Sequence, residues 1–435
     1  MLFLKNYLMI GQLETFLFLL LMFFSFVTIY YLKTKKIKDS TILFIGLIMG
    51  LGIGLLSALL KIDSTTQSEV SSWYGLFGNS FMSLLKLVVL PLVFFSMIRV
   101  VISANKNFNR IAIKTILVFL STTFVASLVT IAVTVILPDI KLFSSLESDV
   151  VIRDVGSIIN MLQSIIPNNV VGIFAENNLL SIIIFAVMIG LIIKSFDSKD
   201  VKNVISLVDE LYLIIRDLTI KIMKLLPYVL VPLLANAFIK YGSTSLVGAI
   251  SFIVTLYICM ALVFIIHLII VKFSGKTLKS YLMSIKEVLL LAFTSRSSLG
   301  TLPVTISTME EKLNISKDVS NIAGSFGANM GMNGCAAVYP TLVVIAIANT
   351  LAIPMDLSFY LSLLIVVVLG SIGIAGIPGA ATMSIAVVLT GMGMVEYYPL
   401  LAVILAVDPI LDMGRTLLNV HGTIVAGVVV DSQEK

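Results

Sequence analysis

Long apolar runs, each closed by a short polar or basic stretch, set the pattern of this chain and predict helices of membrane-spanning length. The early runs are Leu13–Leu32, Thr41–Leu60, Phe81–Val101, Ile116–Leu137, Leu179–Ile193 and Ala249–Val271. The stretch 61–80, with Asp63, Glu69 and the single tryptophan Trp73, reads as an external loop with an interface anchor. Pro138–Asn178 is polar and mixed in charge, and reads as a second external loop with a short amphipathic helix. Val204–Leu226 carries six charges and reads as an amphipathic segment leading into Pro227–Ala237.

Regular spanning stops after Val271. Val288–Met309 has a Ser/Arg/Gly cluster in its middle and charge near both ends, which predicts a re-entrant hairpin. Ser320–Ile347 reads as a helix broken near Asn329–Gly334. Phe359–Met394 is interrupted by Gly373, Gly376, Pro378 and Gly379, and reads as a second hairpin entering from the other side. Tyr398–Val430 reads as one long final helix with charges in its middle. Hairpin, helix, hairpin, helix with opposite insertion is the mark of an inverted repeat, and secondary transporters place their site where such broken elements meet.

Composition sharpens this. Of 435 residues, 59% are hydrophobic and 12% charged, half the charge of an ordinary soluble domain (roughly a quarter). An all-α polytopic membrane protein follows; the runs are too long for the strands of an outer-membrane barrel. Net charge is +5, but the basic residues cluster in short loops and report topology, not nucleic-acid binding. Lys33, Lys35, Lys36 and Lys38 follow the first apolar run, so the first helix is expected to be uncleaved with its N-terminus outside. Cys259 and Cys335 read as buried thiols. His267 and His421 are too few for a catalytic metal centre, and His421 has only apolar neighbours one turn away, which assigns it no role.

Asp408, Asp412, Arg415 and Asn419 are spaced i, i+4, i+7, i+11 and share one helix face, with Thr416 beside it and Thr423 a turn later. Each Asp or Arg at the centre of a span costs about 2.5–3.5 kcal/mol, so this face must meet partners or water. A ligand site and a structural ion pair, Asp412–Arg415 or Arg296–Asp408, both answer that need. Half-helices starting at Ser297–Ser298 and near Ala380 would offer free N–H groups to a carboxylate. The glycines of 373–379 serve close ligand approach or tight packing, and the break at Asn329–Gly334 frees carbonyls for a cation or is a plain kink. An intramembrane serine hydrolase using Ser297 or Ser298 lacks a base, and a passive channel fits poorly with two hairpin gates.

Ser295–Pro303 (Ser-Arg-Ser-Ser-Leu-Gly-Thr-Leu-Pro), Gly373–Gly379 and Asp412–Val420 (Asp-Met-Gly-Arg-Thr-Leu-Leu-Asn-Val) resemble the hairpin tips and last helix of the dicarboxylate/amino acid:cation symporter family, which includes the glutamate transporters. Leu85–Ser96 is a further match, and the similarity runs from about Thr41 onward. Where the family usually has Asn-Met-Asp-Gly-Thr, this chain has Gly331-Met-Asn-Gly-Cys335, a form similar to the bacterial L-cystine symporters, as is the additional first helix.

The resemblance implies a glutamate-transporter-like fold with two re-entrant hairpins, a homotrimer in the cytoplasmic membrane, and cation-coupled uptake of L-cystine by an elevator motion. An acidic amino acid or C4-dicarboxylate is the rival substrate. It implies an extra helix over 1–40, scaffold helices over 41–280, the core of the transport unit over 281–430 and a tail, 431–435. Asp412, helped by Thr416, would receive the substrate α-ammonium. Asn419 and the N–H groups near Ser297 and Ser298 would hold the α-carboxylate, and Arg415 the distal carboxylate. Asn333, Cys335, Gly376 and Ile377 complete the implied substrate site, the small residues making room for a long substrate. No cofactor is implied beyond a coupling Na+ or H+. Two family cation sites lose their ligands here, one at Gly331 and Thr423, the other at Asn333 and Phe119, though Thr122 and Thr123 remain. A third uses backbone carbonyls, with counterparts at Asn329, Met332, Ser371, Ile372 and Ile374. Asp408 is a proton carrier or a structural partner. Cys335 is expected to be an inert thiol, burial opposing its ionisation.

Overall fold

A computed structural model of the chain describes residues 10–37, 39–103, 110–137, 141–142, 169–176, 178–197, 199–241, 244–328, 330–373 and 380–434. All regular elements among them are helical. In chain order they are α1 (Leu13–Thr34), α2 (Asp39–Leu60), α3 (Ser64–Ser103), α4 (Arg110–Ile136), the short α5 (Val170–Ala175), α6 (Leu179–Ser195), α7 (Lys202–Met223), α8 (Leu226–Tyr241) and α9 (Thr244–Phe273). The second half holds α10 (Leu278–Ser295), α11 (Ser298–Ser307), α12 (Lys317–Gly327), α13 (Tyr339–Thr350), α14 (Leu357–Gly373), α15 (Ala380–Gly391), α16 (Ala402–Ala406) and α17 (Asp408–Glu434). Among the described residues, six helices are long and apolar enough to cross a membrane.

Three expectations are corrected. The supposed loop 61–80 is helical: α3 is continuous from Ser64 to Ser103, and Glu69 and Trp73 lie on it. Its polar residues are satisfied by neighbours, which lets the helix persist. Glu69 accepts from the Gly11 amide (3.0 Å) and the Thr15 hydroxyl (2.6 Å), and Gln67 donates to the Ile239 carbonyl (2.7 Å). Trp73 packs on the cluster formed by α1, α2, α3 and α8. The first hairpin begins at Leu278, ten residues before the expected Val288, because the lysines and serines at the start of α10 fit an amphipathic arm. The final helix does not start at Tyr398: a 3-10 turn (Val395–Leu401) and α16 precede it, and α17 begins at Asp408. Pro409 follows at once, and a residue without an N–H is tolerated only in a first turn. Most of the expected loop Pro138–Asn178 lies outside the described residues.

The additional helix α1 is fastened to the bundle by polar contacts as well as by its apolar face. Tyr74 donates to the Phe18 carbonyl (2.7 Å), and Lys33 donates to the Lys224 carbonyl (2.6 Å) while lying over the Tyr228 ring. Helices α2 and α8 approach closely along Gly46, Gly50 and Gly54, one turn apart. A Cβ on Gly50 would stand 3.0 Å from the Val231 carbonyl oxygen, and one on Gly54 would meet the Cβ of Phe238. Gly54→Leu is therefore expected to overpack this seam and cost about 1–3 kcal/mol. Thermal unfolding of the purified protein checks it; an unchanged midpoint would show that the seam yields.

The innermost element is α13, whose residues from Tyr339 to Ala348 are all buried, as an all-round apolar helix must be. It packs against α4, α14 and α15, while α17 lies against α4, α9, α10 and α12. The hairpin pairs α10/α11 and α14/α15 each pack arm on arm.

Candidate functional site

The first hairpin tip forms where expected. Arg296 ends α10 in the left-handed region (φ +54°), a strained position for a side chain larger than glycine. Ser297 then caps α11, its hydroxyl accepting from the Gly300 amide (2.9 Å), and Ser298 is the first residue of the helix. Arm α15 likewise starts at Ala380. The second tip, with Ile374, Gly376 and Ile377, lies outside the described residues, as does Asn329.

The break expected within Ser320–Ile347 falls between α12 and α13. Helix α12 stops at Gly327, and a π-helical turn, Asn333–Val338, leads into α13. Gly331 adopts φ +64°, and a Cβ there would collide with the Phe119 ring of α4. Phenyl thus fills the space beside Gly331, and no side-chain oxygen stands at either position. Gly327 lies against Thr423 of α17, whose hydroxyl donates back to the Asn419 carbonyl (3.1 Å).

The helical spacing of α17 brings its charged face onto this break. Arg415 is fully buried. Its Nη2 donates to Asp408 Oδ1 (2.7 Å) and to Asp412 Oδ1 (3.3 Å). The guanidinium lies 4.0 Å above the Tyr339 ring, a cation–π contact, and the Tyr339 hydroxyl faces Asp408 at 3.5 Å. Arg415 Nε and Nη1 have no hydrogen-bond partner among the described residues. Of the two ion pairs offered by the sequence, the structure forms Asp412–Arg415 and gives Asp408 to Arg415 as well. Thr416 lies 3.5 Å from Asp412, on the expected side. A guanidinium with unmet donors beside a partly exposed carboxylate can take both the anionic and the cationic group of a zwitterion.

Asn419 does more than its spacing suggests. Its Oδ1 accepts from the amides of Gly334 (2.8 Å) and Cys335 (3.2 Å), and its Nδ2 donates to Cys335 Sγ (3.1 Å). It ties the last helix to the break. Any contact with a substrate carboxylate must use its remaining amide hydrogen. Met332 is buried at the break, and Ser371 near the end of α14, its hydroxyl donating to the Val368 carbonyl (2.7 Å) with Ile372 next to it.

Sequence spacing missed one cluster. His267 of α9 and His421 of α17 are 154 residues apart, yet their Nδ1 atoms lie 3.4 Å from each other. Asn333, expected in the substrate site, puts its amide nitrogen 3.2 Å from His267 Nε2 and accepts from Thr122 at 3.4 Å. No local signal announces this contact; only the packing of α9 on α17 creates it.

Comparison with known proteins places these residues in a lineage. The model of the sodium:dicarboxylate symporter family matches residues 40–433. A protein of Bacillus cereus named L-cystine uptake protein TcyP is 31% identical over 423 residues, 92% of this chain and 90% of its own. The protein of the same name from Bacillus licheniformis is 30% identical over 92% of this chain and 91% of its own. A protein of Haemophilus influenzae named an uncharacterized symporter is 31% identical over 92% of this chain and 94% of its own. With its membrane-length helices, the chain is a multi-pass transporter and not an enzyme, and it belongs to the sodium:dicarboxylate symporter family.

Proposed function

We propose that the protein takes up L-cystine across the cytoplasmic membrane, coupled to a cation. The observation that carries this reading is the buried Arg415, held by Asp408 and Asp412 and with two nitrogens unpartnered among the described residues, in a chain with several relatives over nine-tenths of its length that are named for cystine uptake. Cystine carries an amino acid head at each end. One head would place its ammonium on Asp412 and Thr416 and its carboxylate on Asn419 and the α11 N-terminus at Ser297 and Ser298. The other would give its carboxylate to Arg415. Gly376 and Ile377 of the second tip, with Cys335 and Asn333, would border the long substrate.

Coupling would use either sodium, held by backbone carbonyls at Asn329, Met332, Ser371, Ile372 and Ile374, or a proton. One charge moving through about 100 mV supplies about 2.3 kcal/mol, roughly a fiftyfold gradient. The functional unit is read as a homotrimer with its N-termini outside. Its 281–430 core would move as an elevator against the helices of 41–280. The rival substrate, an acidic amino acid or C4-dicarboxylate, is favoured by the family's description and by Arg415.

Uptake of labelled L-cystine into proteoliposomes tests both levels. Accumulation driven by an inward sodium or proton gradient, and not competed by aspartate, is the expected result. Aspartate accumulation without cystine accumulation would overturn the substrate and leave the family standing.

A further inference from the structure

Two imidazoles meet in the interior where no catalytic or ligand role has been assigned. His267 is 1% exposed and His421 fully buried. Phe264 stacks on the His421 ring with centroids 4.1 Å apart. His421 Nε2 and the buried Tyr281 hydroxyl of α10, whose ring lies 5.9 Å from that of His421, both lack a partner among the described residues. Gly422 leaves the cluster open to the break: a Cβ there would stand 3.5 Å from both Asn333 and His267.

The hydrogen-bond logic allows two protonation states. In the neutral state Asn333 donates its amide hydrogen to His267 Nε2, and His267 donates from Nδ1 to His421 Nδ1. His421 then carries its proton on Nε2. A further proton fits on His267 Nε2 if the Asn333 amide turns to present its oxygen, while the bridging proton between the two Nδ1 atoms is shared. Nothing else need change in the pair, and no other reactant is consumed. Asn333 is the first residue of the π-helical turn, and the next two amides are those that Asn419 holds. Asn333 thus stands between His267 and the turn whose Gly334 lies against the Arg415 backbone.

Three polar side chains lie around the pair. From α10 the pair faces the Tyr281 phenol, from α4 the Thr122 hydroxyl, and from the broken helix Asn333. Among the described residues no carboxylate, lysine or arginine bonds to either ring or acts on it electrostatically. The nearest charged residues along α17 are Arg415 and Asp412, six and nine positions back. Arg296 at the first hairpin tip also acts on Asp412, so Asp408 and Asp412 are set against two arginines.

We propose that His267 and His421 together bind one proton, and that this is the coupling proton, its occupancy linked to the substrate site through Asn333. The role as coupling ion rests on the cation-coupled cystine uptake proposed above; the binding of the proton does not. The chain has only two histidines, so ring nitrogen spectra of histidine-labelled full-length protein report on this pair alone. The two rings are expected to titrate together as one coupled unit. Rings that stay neutral down to about pH 5 would overturn the proposal whatever the substrate.

The second measurement is proton uptake from weakly buffered solution when L-cystine binds. About one proton per cystine is expected for the wild type. His267→Gln and His421→Gln keep hydrogen-bonding groups and should bind cystine without taking up a proton and without pH-dependent affinity. Proton uptake that persists in both variants, or cystine binding to the wild type with no proton uptake, excludes the coupling role. Failure to bind cystine with rings that still titrate together would remove the substrate reading and retain the proton site.

Discussion

Replacing Arg415 with alanine is expected to reduce cystine uptake by about 100-fold or more and to destabilise the protein by about 3 kcal/mol. The guanidinium is bonded to both Asp408 and Asp412, and it is fully buried. Removing one partner of a buried ion pair costs about 3–5 kcal/mol because the remaining charge is stranded. The lower end applies here, since the two carboxylates keep 22% and 27% exposure and retain some water. The cation–π contact with Tyr339 is lost as well. Transport suffers more than folding, because the variant also lacks the donors assigned to the substrate's distal carboxylate. Lysine should restore much of the stability but little of the uptake: an ammonium is a point charge and cannot reach two carboxylates and a ligand in one plane.

The two aspartates should then separate. Asp408 makes the shorter bond to Arg415 and faces the Tyr339 hydroxyl, while Asp412 is held at 3.3 Å, near Thr416. Asp408→Asn should lower the unfolding midpoint more than Asp412→Asn, and Asp412→Asn should lower cystine affinity more than Asp408→Asn. Equal effects on both readouts would refute the assignment of Asp412 to the substrate ammonium.

The charged face of α17 was legible in sequence because helical spacing is local: four residues at i, i+4, i+7 and i+11 must share a side wherever the helix goes. The cap at Ser297 was legible for the same reason. The break near Asn329–Gly334 showed through its glycines, although which groups it engages did not. Asn419 looked like a ligand-facing amide, yet its oxygen is bonded to Gly334 and Cys335, 85 and 84 residues away. His421 looked inert because its neighbours on the helix are apolar; its partner comes from α9. The stretch 64–80 looked like a loop because hydropathy counts polar residues without asking who satisfies them, and Glu69 is satisfied by the segment at the start of α1. The start of α17 was hidden in the other direction, a break inside an apolar run.

Gly334→Ala is expected to reduce transport as far as Arg415→Ala does while leaving every charged group in place. A Cβ on Gly334 would stand 2.5 Å from the Arg415 carbonyl oxygen and 2.7 Å from its Cα. Both are backbone atoms, so no side chain can swing aside, and the turn or the last helix must shift. That shift pulls the Gly334 and Cys335 amides off Asn419 Oδ1, and each buried donor left unsatisfied costs about 1–3 kcal/mol. It also moves Arg415 relative to Tyr339, which sits five residues beyond Gly334. Asn419→Ala reaches the same state from the other side, by removing the acceptor, and should match Gly334→Ala in lost cystine binding. Cys335→Ala isolates the side chain from the backbone: it deletes a thiol that receives one weak bond from Asn419 Nδ2, leaves both amides held and only widens the proposed substrate border. If Cys335→Ala transports nearly normally while the other two do not, the backbone clasp between the break and the last helix sets the geometry of the site. If Gly334→Ala transports normally, the close approach of the two backbones is not needed for function, and the clasp is only structural.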